Sequence, residues 1–277
     1  MILETIQDYE DLQKKYEHYD YAQYVYRGHS NKDWSLLPSA YRDKSNIECP
    51  DIEKISVDKF IRHLIENGYR DFPFDDIIQF DFLTKPTTVF PTVEQLPYFA
   101  LAQHYAFDSQ FHWLKTSLLD VTYNLDIAAY FAVEKEAEEN ADGKIFVLDF
   151  SKINAPYKFY EPKGGFRIEA RLVVQQCAFI YREQECTPAN DHLPYKNKNP
   201  FDDIVIDTII IKSELKPQLK EKLQKKLFEL FIYPRLVLGR VIPDLSTSGL
   251  HSFEELEKMH KPAVDRVRKL GDKHSSY

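Results

Sequence analysis

The polar residues best suited to chemistry lie in two apolar stretches of the sequence. Arg27 and Gly28 end an aromatic run that starts at Tyr21, and Asp120 and Thr122 follow a pair of leucines. An arginine in such a position is either a bidentate clamp for an anionic ligand or the ion-pair partner of a buried carboxylate. An acid and a hydroxyl just before a helix start lie where free backbone N–H groups bind anions and ribose hydroxyls.

Four polar side chains are expected within buried elements, where each needs a hydrogen-bonding partner. They are Gln103, His104, Asp120 and Thr122, and we predict that they form one network. The residues alone leave open whether that network is structural or binds a ligand.

Asp120 and Thr122 are two residues apart on a predicted strand, so their side chains should share one face of the sheet. We predict that this face borders Arg27 and that the alternate residues face an apolar layer. In the free protein, Asp120 is expected either to pair with Arg27 or Arg42 or to stay open to a ribose hydroxyl.

The hydrophobic periodicity predicts an α+β fold with a central, split or strongly bent, antiparallel-rich sheet and surrounding helices. The predicted strands are at about 21–27, 117–122, 144–150, 172–181 and 204–211. The predicted helices are at 3–19, at 51–71 after an Asp51 cap, after an Asn124 cap, at 213–232 after a Ser213 cap, and at 252–269. Residues 72–96 are insertion-like, with a short helix at 75–82, and residues 156–165 read as a turn-rich connector.

Two polar features of the later strands and helices bear on function. Gln175 and Gln176 are adjacent in a predicted apolar strand, so one of them should point into the core or a cleft. The helix at 213–232 carries five lysines that we place mostly on its outer, solvated face in preference to a phosphate-binding role. They are Lys216, Lys220, Lys222, Lys225 and Lys226.

Composition excludes several classes of function. The 277 residues carry a net charge of −8, which disfavours indiscriminate binding of nucleic acid by the whole surface. The 8 glycines form neither a GxGxxG nor a GxxxxGK[ST] loop, no GxSxG elbow occurs, and no His, Cys and Asp cluster has zinc spacing. Three scattered cysteines suit a reducing compartment, and no signal peptide or membrane-length apolar run is visible, so a cytoplasmic, non-membrane protein is expected.

Read together, the motifs resemble the FRG domain. Its first block corresponds to Tyr26-Arg27-Gly28-His29-Ser30, continued by Trp34-Ser35-Leu36-Leu37-Pro38-Ser39 and Arg42. Its second corresponds to Gln103-His104-Tyr105-Ala106, Leu118-Leu119-Asp120-Val121-Thr122 and Ala128-Ala129-Tyr130-Phe131-Ala132. Its third corresponds to Arg171 and Gln175-Gln176-Cys177-Ala178-Phe179, and its closing block to Val241-Ile242-Pro243-Asp244-Leu245. Ala106 and Cys177 stand where the family commonly has glycine, and Ser117 stands where it has an arginine.

FRG domains are similar to the ADP-ribosyltransferase fold, and this resemblance implies NAD as a substrate, no metal, and a set of site residues. The implied catalytic residues are Arg27, Asp120 and Gln176. The implied NAD-binding residues are Arg27, Gly28, His29, Ser30, Arg42, His104, Asp120, Thr122, Arg171 and Gln175. In that fold, a Glu or Gln of a third motif polarises the ribose 2′-hydroxyl or the acceptor, and the resemblance places Gln175 or Gln176 there. No clear glutamate fills the third motif, and nothing selects between Glu169 and Glu183, which flank it.

The resemblance implies one FRG-type domain over 1–277, with a core at about 20–256. The leading interpretation is an NAD-dependent ADP-ribosyltransferase-like enzyme, which transfers a pentosyl group, acting as a toxin or phage-defence effector on nucleic acid or protein. The alternative is a non-catalytic FRG module that binds a nucleotide or a protein partner. The oligomeric state stays open.

Overall fold

The structure is a computed structural model of the chain. It describes residues 1–17, 23–42, 57–62, 95–105, 116–154, 156–162, 172, 175–182 and 201–227. The chain divides into two compact units, each assembled from separate segments. The first unit comprises Met1–Leu37, Leu119–Phe159 and Gln175–Phe228, and the second comprises Pro38–Leu118, Tyr160–Val174 and Glu229–Tyr277. The organisation as one FRG-type domain stays a prediction.

Seven strands of the described residues form one sheet in the order β1-β7-β4-β2-β3-β6-β5. The strands are β1 (Ile2–Leu3), β2 (Tyr24–His29), β3 (Leu119–Thr122), β4 (Gly143–Asp149), β5 (Tyr157–Tyr160), β6 (Cys177–Arg182) and β7 (Val205–Ile211). Strand β1 runs parallel to β7, whereas the pairs β2–β3, β2–β4, β3–β6 and β4–β7 are antiparallel. A bulge between Val147 and Leu148 interrupts the β4–β7 register.

An α+β architecture with an antiparallel-rich sheet is therefore observed, and each of the five predicted strands is present with shifted ends. The strands form one continuous sheet, so the split form of the prediction is wrong. Two strands were missed. Residues 157–160 form β5 where a turn-rich connector was predicted, and residues 2–3 form β1 where a helix was predicted to begin.

The helices whose two ends are described are α1 (Ile6–Glu17), α2 (Leu96–Tyr105), α3 (Leu125–Val133) and α4 (Lys216–Lys226). The predicted cap of α3 is confirmed, because the Asn124 side chain accepts hydrogen bonds from the N–H groups of Asp126 and Ile127. The helix is apolar on nearly every side and is almost wholly buried, which is typical of a helix inside a core.

Side chains of the central strands alternate between two apolar layers, as the pleat requires. On one side, which we call the helix face, they pack against α1, α3 and α4, and these strand residues are Tyr26, Ile145, Val147, Ile209 and Ile211. On the other side, the second face, a separate core contains Val25, Leu119, Val121, Phe146, Leu148, Ala178 and Ile180. The predicted apolar layer behind Leu119 and Val121 is thereby confirmed.

The start of α4 differs from the prediction. Ser213 opens a short 3-10 turn, Ser213–Leu215, and its hydroxyl donates to the Glu214 carboxylate, so it does not cap the helix. The turn leads directly into α4, whose second residue is Pro217, a residue tolerated in the first turn because its missing N–H has no intrahelical acceptor there.

The five lysines of α4 are engaged with partners. Lys216 is only 2% exposed and donates to the carbonyl oxygens of Ser30 and Glu138, and Lys220 donates to that of Glu134. Lys222, Lys225 and Lys226 pair with Glu10, Glu221 and Asp126. The prediction that these lysines form a mainly solvated outer face is therefore wrong for Lys216, whose long stem reaches buried carbonyl groups.

Within the second unit, residues 57–62 are helical, as predicted, and α2 carries Gln103. The Gln103 amide oxygen accepts a hydrogen bond from the Thr116 hydroxyl. The N–H of Thr116 donates to Ser39 Oγ at 2.9 Å, which ties its segment to the 3-10 turn Ser39–Tyr41. The predictions for the Asp51 cap, for residues 75–82 and for residues 252–269 lie outside the described residues.

Candidate functional site

The candidate site begins where two neighbouring strands of the sheet share a single registered residue pair. Strand β2 pairs with β4 along its whole length, but in the described register it pairs with β3 only through Tyr26 and Thr122. Arg27, the residue after Tyr26, reaches across to β3, where its Nη1 lies 2.9 Å from the Asp120 carboxylate Oδ2 and 2.9 Å from the Asp120 carbonyl oxygen.

Both members of this pair are largely buried, with side-chain exposures of 19% for Arg27 and 15% for Asp120. The predicted ion pair of Asp120 with an arginine is thus confirmed. The Arg27 Nε–H is buried and has no hydrogen-bonding partner among the described residues. Because a guanidinium carries five N–H donors, the Asp120 contact leaves part of its donor capacity unused.

Thr122 has a different set of contacts from Asp120. Its hydroxyl donates to the Gln175 carbonyl oxygen at 2.8 Å and accepts from the Asn124 N–H at 3.1 Å. The hydroxyl therefore links the end of β3 both to the start of α3 and to the segment that precedes β6. Such a link holds a turn in place and does not itself require a ligand.

Gln175 and Gln176 form a turn before β6, so their predicted location within the strand is wrong. One of them is nevertheless buried, as expected: Gln175 is 4% exposed, and its amide oxygen lies 3.5 Å from Cys177 Sγ. Gln176 is exposed and has a φ of 46°, in the left-handed region that few side chains adopt. The N–H of Tyr123 donates to the Gln176 carbonyl oxygen at 3.1 Å and fixes the turn beside β3.

Gly28 and Ser30 have packing roles that the sequence did not reveal. A Cβ atom at Gly28 would lie 1.8 Å from the Ala128 carbonyl oxygen, so the glycine allows β2 to approach α3. The Ser30 hydroxyl donates to the Phe131 carbonyl oxygen at 2.8 Å, and its own carbonyl accepts from Lys216 at 2.6 Å.

His29 lies on the second face among aromatic rings. It is 3% exposed, and its ring centroid is 5.4 Å from that of Phe146 and 6.1 Å from that of Trp34. Lys144 is paired with His29 in the β2–β4 register, and sequence reasoning missed it. The signal for it was its position two residues before Phe146 in a strand, which puts the two side chains on one face.

Three implied site residues belong to the second unit. Arg42 follows the turn Ser39–Tyr41, and its N–H donates to the Ser39 carbonyl oxygen. His104 lies in α2, but its side chain is outside the description, as is the whole of Arg171. The single network of Gln103, His104, Asp120 and Thr122 stays a prediction.

Two general properties of the described residues bear on the kind of site. Among them, no group of three His, Cys, Asp or Glu side chains is arranged to hold a metal ion. No helix in the same part of the chain is both long enough and apolar enough to cross a membrane.

Comparison with known proteins gives one match. No curated protein and no solved structure matched the chain. The sequence model of the FRG domain matches residues 22–141, a stretch that includes Arg27, Asp120 and Thr122 and ends before Gln175. Over residues 22–141 this chain is therefore similar to the FRG domain.

Proposed function

We propose that this chain binds NAD and transfers its ADP-ribose to an acceptor, in the manner of an ADP-ribosyltransferase. The observation that carries the proposal is the Arg27 side chain, which is largely buried beside the single β2–β3 residue pair and whose Nε–H has no hydrogen-bonding partner in the described part of the chain. Asp120 occupies only Nη1. The remaining donor edge of the guanidinium suits a diphosphate, which accepts two parallel hydrogen bonds.

The proposed reaction breaks the bond between the nicotinamide nitrogen and ribose C1′, and the bonding electrons leave with nicotinamide. Ribose C1′ gains oxocarbenium character, and a nucleophilic atom of the acceptor then bonds to C1′ and loses its proton to solvent. A carboxylate close to the developing positive charge lowers the barrier in a site from which water is excluded. In this proposal Arg27 holds the diphosphate and Asp120 stabilises the ribose.

Gln176 is the candidate for the third-motif role, and the contacts around it support a positioning role for Thr122 and Gln175. The Thr122 hydroxyl and the Tyr123 N–H hold the turn that presents Gln176, which leaves its side chain exposed. A dinucleotide is long enough to contact both ends of a short strand. Asp120 and Tyr123 are three residues apart, roughly 10 Å along an extended strand.

The same separation favours a second candidate function, a non-catalytic FRG module that binds a nucleotide or a protein partner. The residue assigned to polarise the ribose, Gln176, is held at the opposite end of β3 from the Arg27–Asp120 pair. A glutamine is also a weaker electrostatic partner for a cationic transition state than a carboxylate is. On this alternative, the site binds its ligand without turnover.

The acceptor in the leading proposal is nucleic acid or protein, and the biological role is that of a toxin or phage-defence effector acting in the cytoplasm. The net charge of −8 supports a local contact with an acceptor over binding by the whole surface. The scattered cysteines support a reducing compartment.

The direct test measures NAD binding by calorimetry and nicotinamide release by chromatography, with and without cell extract. The variant Arg27→Lys retains a positive charge for Asp120 but loses the planar fork, so we expect NAD binding to fall at least about tenfold. Arg62→Lys is the matched control, because the Arg62 side chain is 55% exposed and pairs with Asp58 in the other unit.

The outcomes separate the two candidates. If Arg27→Lys abolishes nicotinamide release and Arg62→Lys leaves it unchanged, the transferase activity is supported. NAD binding with nicotinamide release at the background rate supports the non-catalytic module. Wild-type protein that neither binds NAD nor releases nicotinamide rules out the transferase.

A further inference from the structure

Four residues on the second face of the sheet, Arg27 among them, form a cluster across β2 and β4. In the β2–β4 register, Arg27 lies opposite Phe146 and His29 lies opposite Lys144. Directly opposed residues of antiparallel strands share a face. The ring contact of His29 with Phe146 and the position of Lys144 Nζ, 4.7 Å from the Phe146 ring centroid, agree with this arrangement.

The ammonium group of Lys144 has little within the described part of the chain to balance its charge. It makes no hydrogen bond or ion pair with any residue described there, and it lies over the face of the Phe146 ring. Burial lowers the pKa of Lys144, and the Asp33 carboxylate acts in the opposite direction without reversing the shift. A partly buried cation of this kind destabilises the free protein unless a further partner binds to it.

Arg27 is the diagonal neighbour of Lys144 across the two strands, at a backbone distance of roughly 7–8 Å. Its Nη1 is paired with Asp120, whereas its Nε–H is buried and finds no hydrogen-bonding partner among the residues that the structure describes. The cluster therefore holds two cationic side chains: Arg27 is paired with Asp120, and Lys144 has only the longer-range influence of the Asp33 carboxylate. The N–H donors that these contacts leave over suit an anion with oxygen atoms at both ends.

We propose that Lys144 is a second phosphate-binding residue of this site and holds, together with Arg27, the diphosphate of a nucleotide ligand. The identity of that nucleotide as NAD rests on the function proposed above, whereas the two-cation site for a diphosphate does not. Arg27 supplies a planar fork, and Lys144 supplies a compact point charge that can turn toward the second phosphate.

The aromatic neighbours increase the effect of this charge. His29 and Phe146 are both nearly buried, so water is largely excluded from the base of the cluster. A charge-assisted hydrogen bond is stronger in such surroundings than at an open surface. Desolvation of Lys144 lowers the stability of the free protein. A bound anion would offset this loss.

The test is calorimetric titration of the full chain with inorganic pyrophosphate and, separately, with NAD. The variants are Lys144→Gln, Lys144→Arg and the control Lys152→Gln, which alters an exposed lysine on a 3-10 turn of the same unit. We expect Lys144→Gln to weaken pyrophosphate binding about tenfold or more, Lys144→Arg to restore most of it, and Lys152→Gln to change it less than about twofold. Lys144→Gln should melt at or above the wild-type temperature, because it removes a partly buried, desolvated charge.

These measurements also separate this inference from the proposed function. If pyrophosphate binding depends on Lys144 but NAD does not bind, the two-cation site is supported and the proposed transferase activity is ruled out. If Lys144→Gln leaves NAD binding and nicotinamide release unchanged, the inference about Lys144 is overturned and the proposed transferase activity stands. Wild-type protein that does not bind pyrophosphate, or a Lys144→Gln protein that melts lower while its pyrophosphate affinity is unchanged, also overturns it.

Discussion

Arg27 is joined to Asp120 through both the main chain and the side chain of the aspartate, at 2.9 Å in each case. The carbonyl contact does not depend on the charge of the carboxylate. It therefore orients the guanidinium even when the carboxylate is occupied elsewhere, for example by a ribose hydroxyl. This double attachment reconciles the two interpretations of Arg27, as an ion-pair partner in the free protein and as a clamp for a ligand.

The double attachment predicts unequal effects of removing the two partners. Arg27→Ala removes the ion pair of the largely buried Asp120 carboxylate and should lower the free energy of unfolding by about 3–5 kcal/mol. Asp120→Asn keeps the carbonyl acceptor and an amide oxygen, so its cost should be smaller, about 1–3 kcal/mol. Urea denaturation of both variants and of the double variant measures the coupling. Equal costs, or an Arg27→Ala protein as stable as the wild type, would contradict this prediction.

Substitution of Gly28 tests whether this glycine is needed for packing of β2 against α3 or for the close approach of a ligand. A methyl group there would lie 1.8 Å from the Ala128 carbonyl oxygen, whereas at Gly143 the nearest atom, the Ala132 carbonyl oxygen, would be 2.4 Å away. Both contacts are with helix backbone, which cannot move aside at low cost. We expect Gly28→Ala to lower the free energy of unfolding by at least about 3 kcal/mol and Gly143→Ala to lower it by less. Loss of ligand binding by a fully stable Gly28→Ala protein would show that the glycine serves the ligand.

The sequence was informative wherever the determining interactions are local. Aromatic and β-branched runs between polar segments identified the five main strands, and the Asn124 cap and the alternation around Asp120 follow from nearest neighbours along the chain. Short elements gave no such pattern: β1 has only two residues, and Lys158 within β5 resembles a loop residue. Nothing local distinguishes the left-handed turn at Gln176 from the strand that follows it.

The site could be predicted only in part, because some of its contacts depend on register between distant strands. Arg27 and Asp120 were paired through the motifs that carry them. Lys144 was missed, because its opposition to His29 joins residues that are far apart in the sequence. Burial of Lys216 was missed for the same reason, since its carbonyl partner Ser30 is 186 residues away.

Asn124 gives a prediction about the helix that follows the candidate site. Its side chain satisfies two N–H groups at the start of α3, so Asn124→Ala should lower the free energy of unfolding by about 1 kcal/mol. Asn124→Asp retains the acceptor and adds a negative charge at the helix N-terminus, so it should be at least as stable as the wild type. Guanidinium chloride denaturation of the three proteins measures both effects. Equal stability of the alanine variant and the wild type would mean that water replaces the cap without cost.

The hydrogen bonds of the Asp142 carboxylate predict how the stability of the protein depends on pH. Its carboxylate accepts from Lys32 Nζ at 3.1 Å, from the Ser213 N–H at 3.0 Å and from Lys212 Nζ at 3.4 Å. Burial acts to raise the pKa of Asp142, but these hydrogen bonds outweigh it and hold the pKa below its ordinary value. A carboxyl group whose pKa is lower in the folded than in the unfolded protein stabilises the fold fully above its unfolded pKa of about 3.9, and this stabilisation is lost as the pH falls through the folded pKa.

The variant Asp142→Asn lacks the titrating group, so it isolates this contribution. We expect the wild type to exceed the variant in free energy of unfolding by a constant amount between about pH 7 and pH 5. The difference should shrink as the pH falls below about 4, because the wild-type carboxyl group takes up a proton and its three hydrogen bonds weaken. Urea denaturation of both proteins at intervals from pH 7 to pH 3 measures it. A difference that stays constant down to pH 3, or grows there, would show that the Asp142 contacts do not lower its pKa in the folded protein.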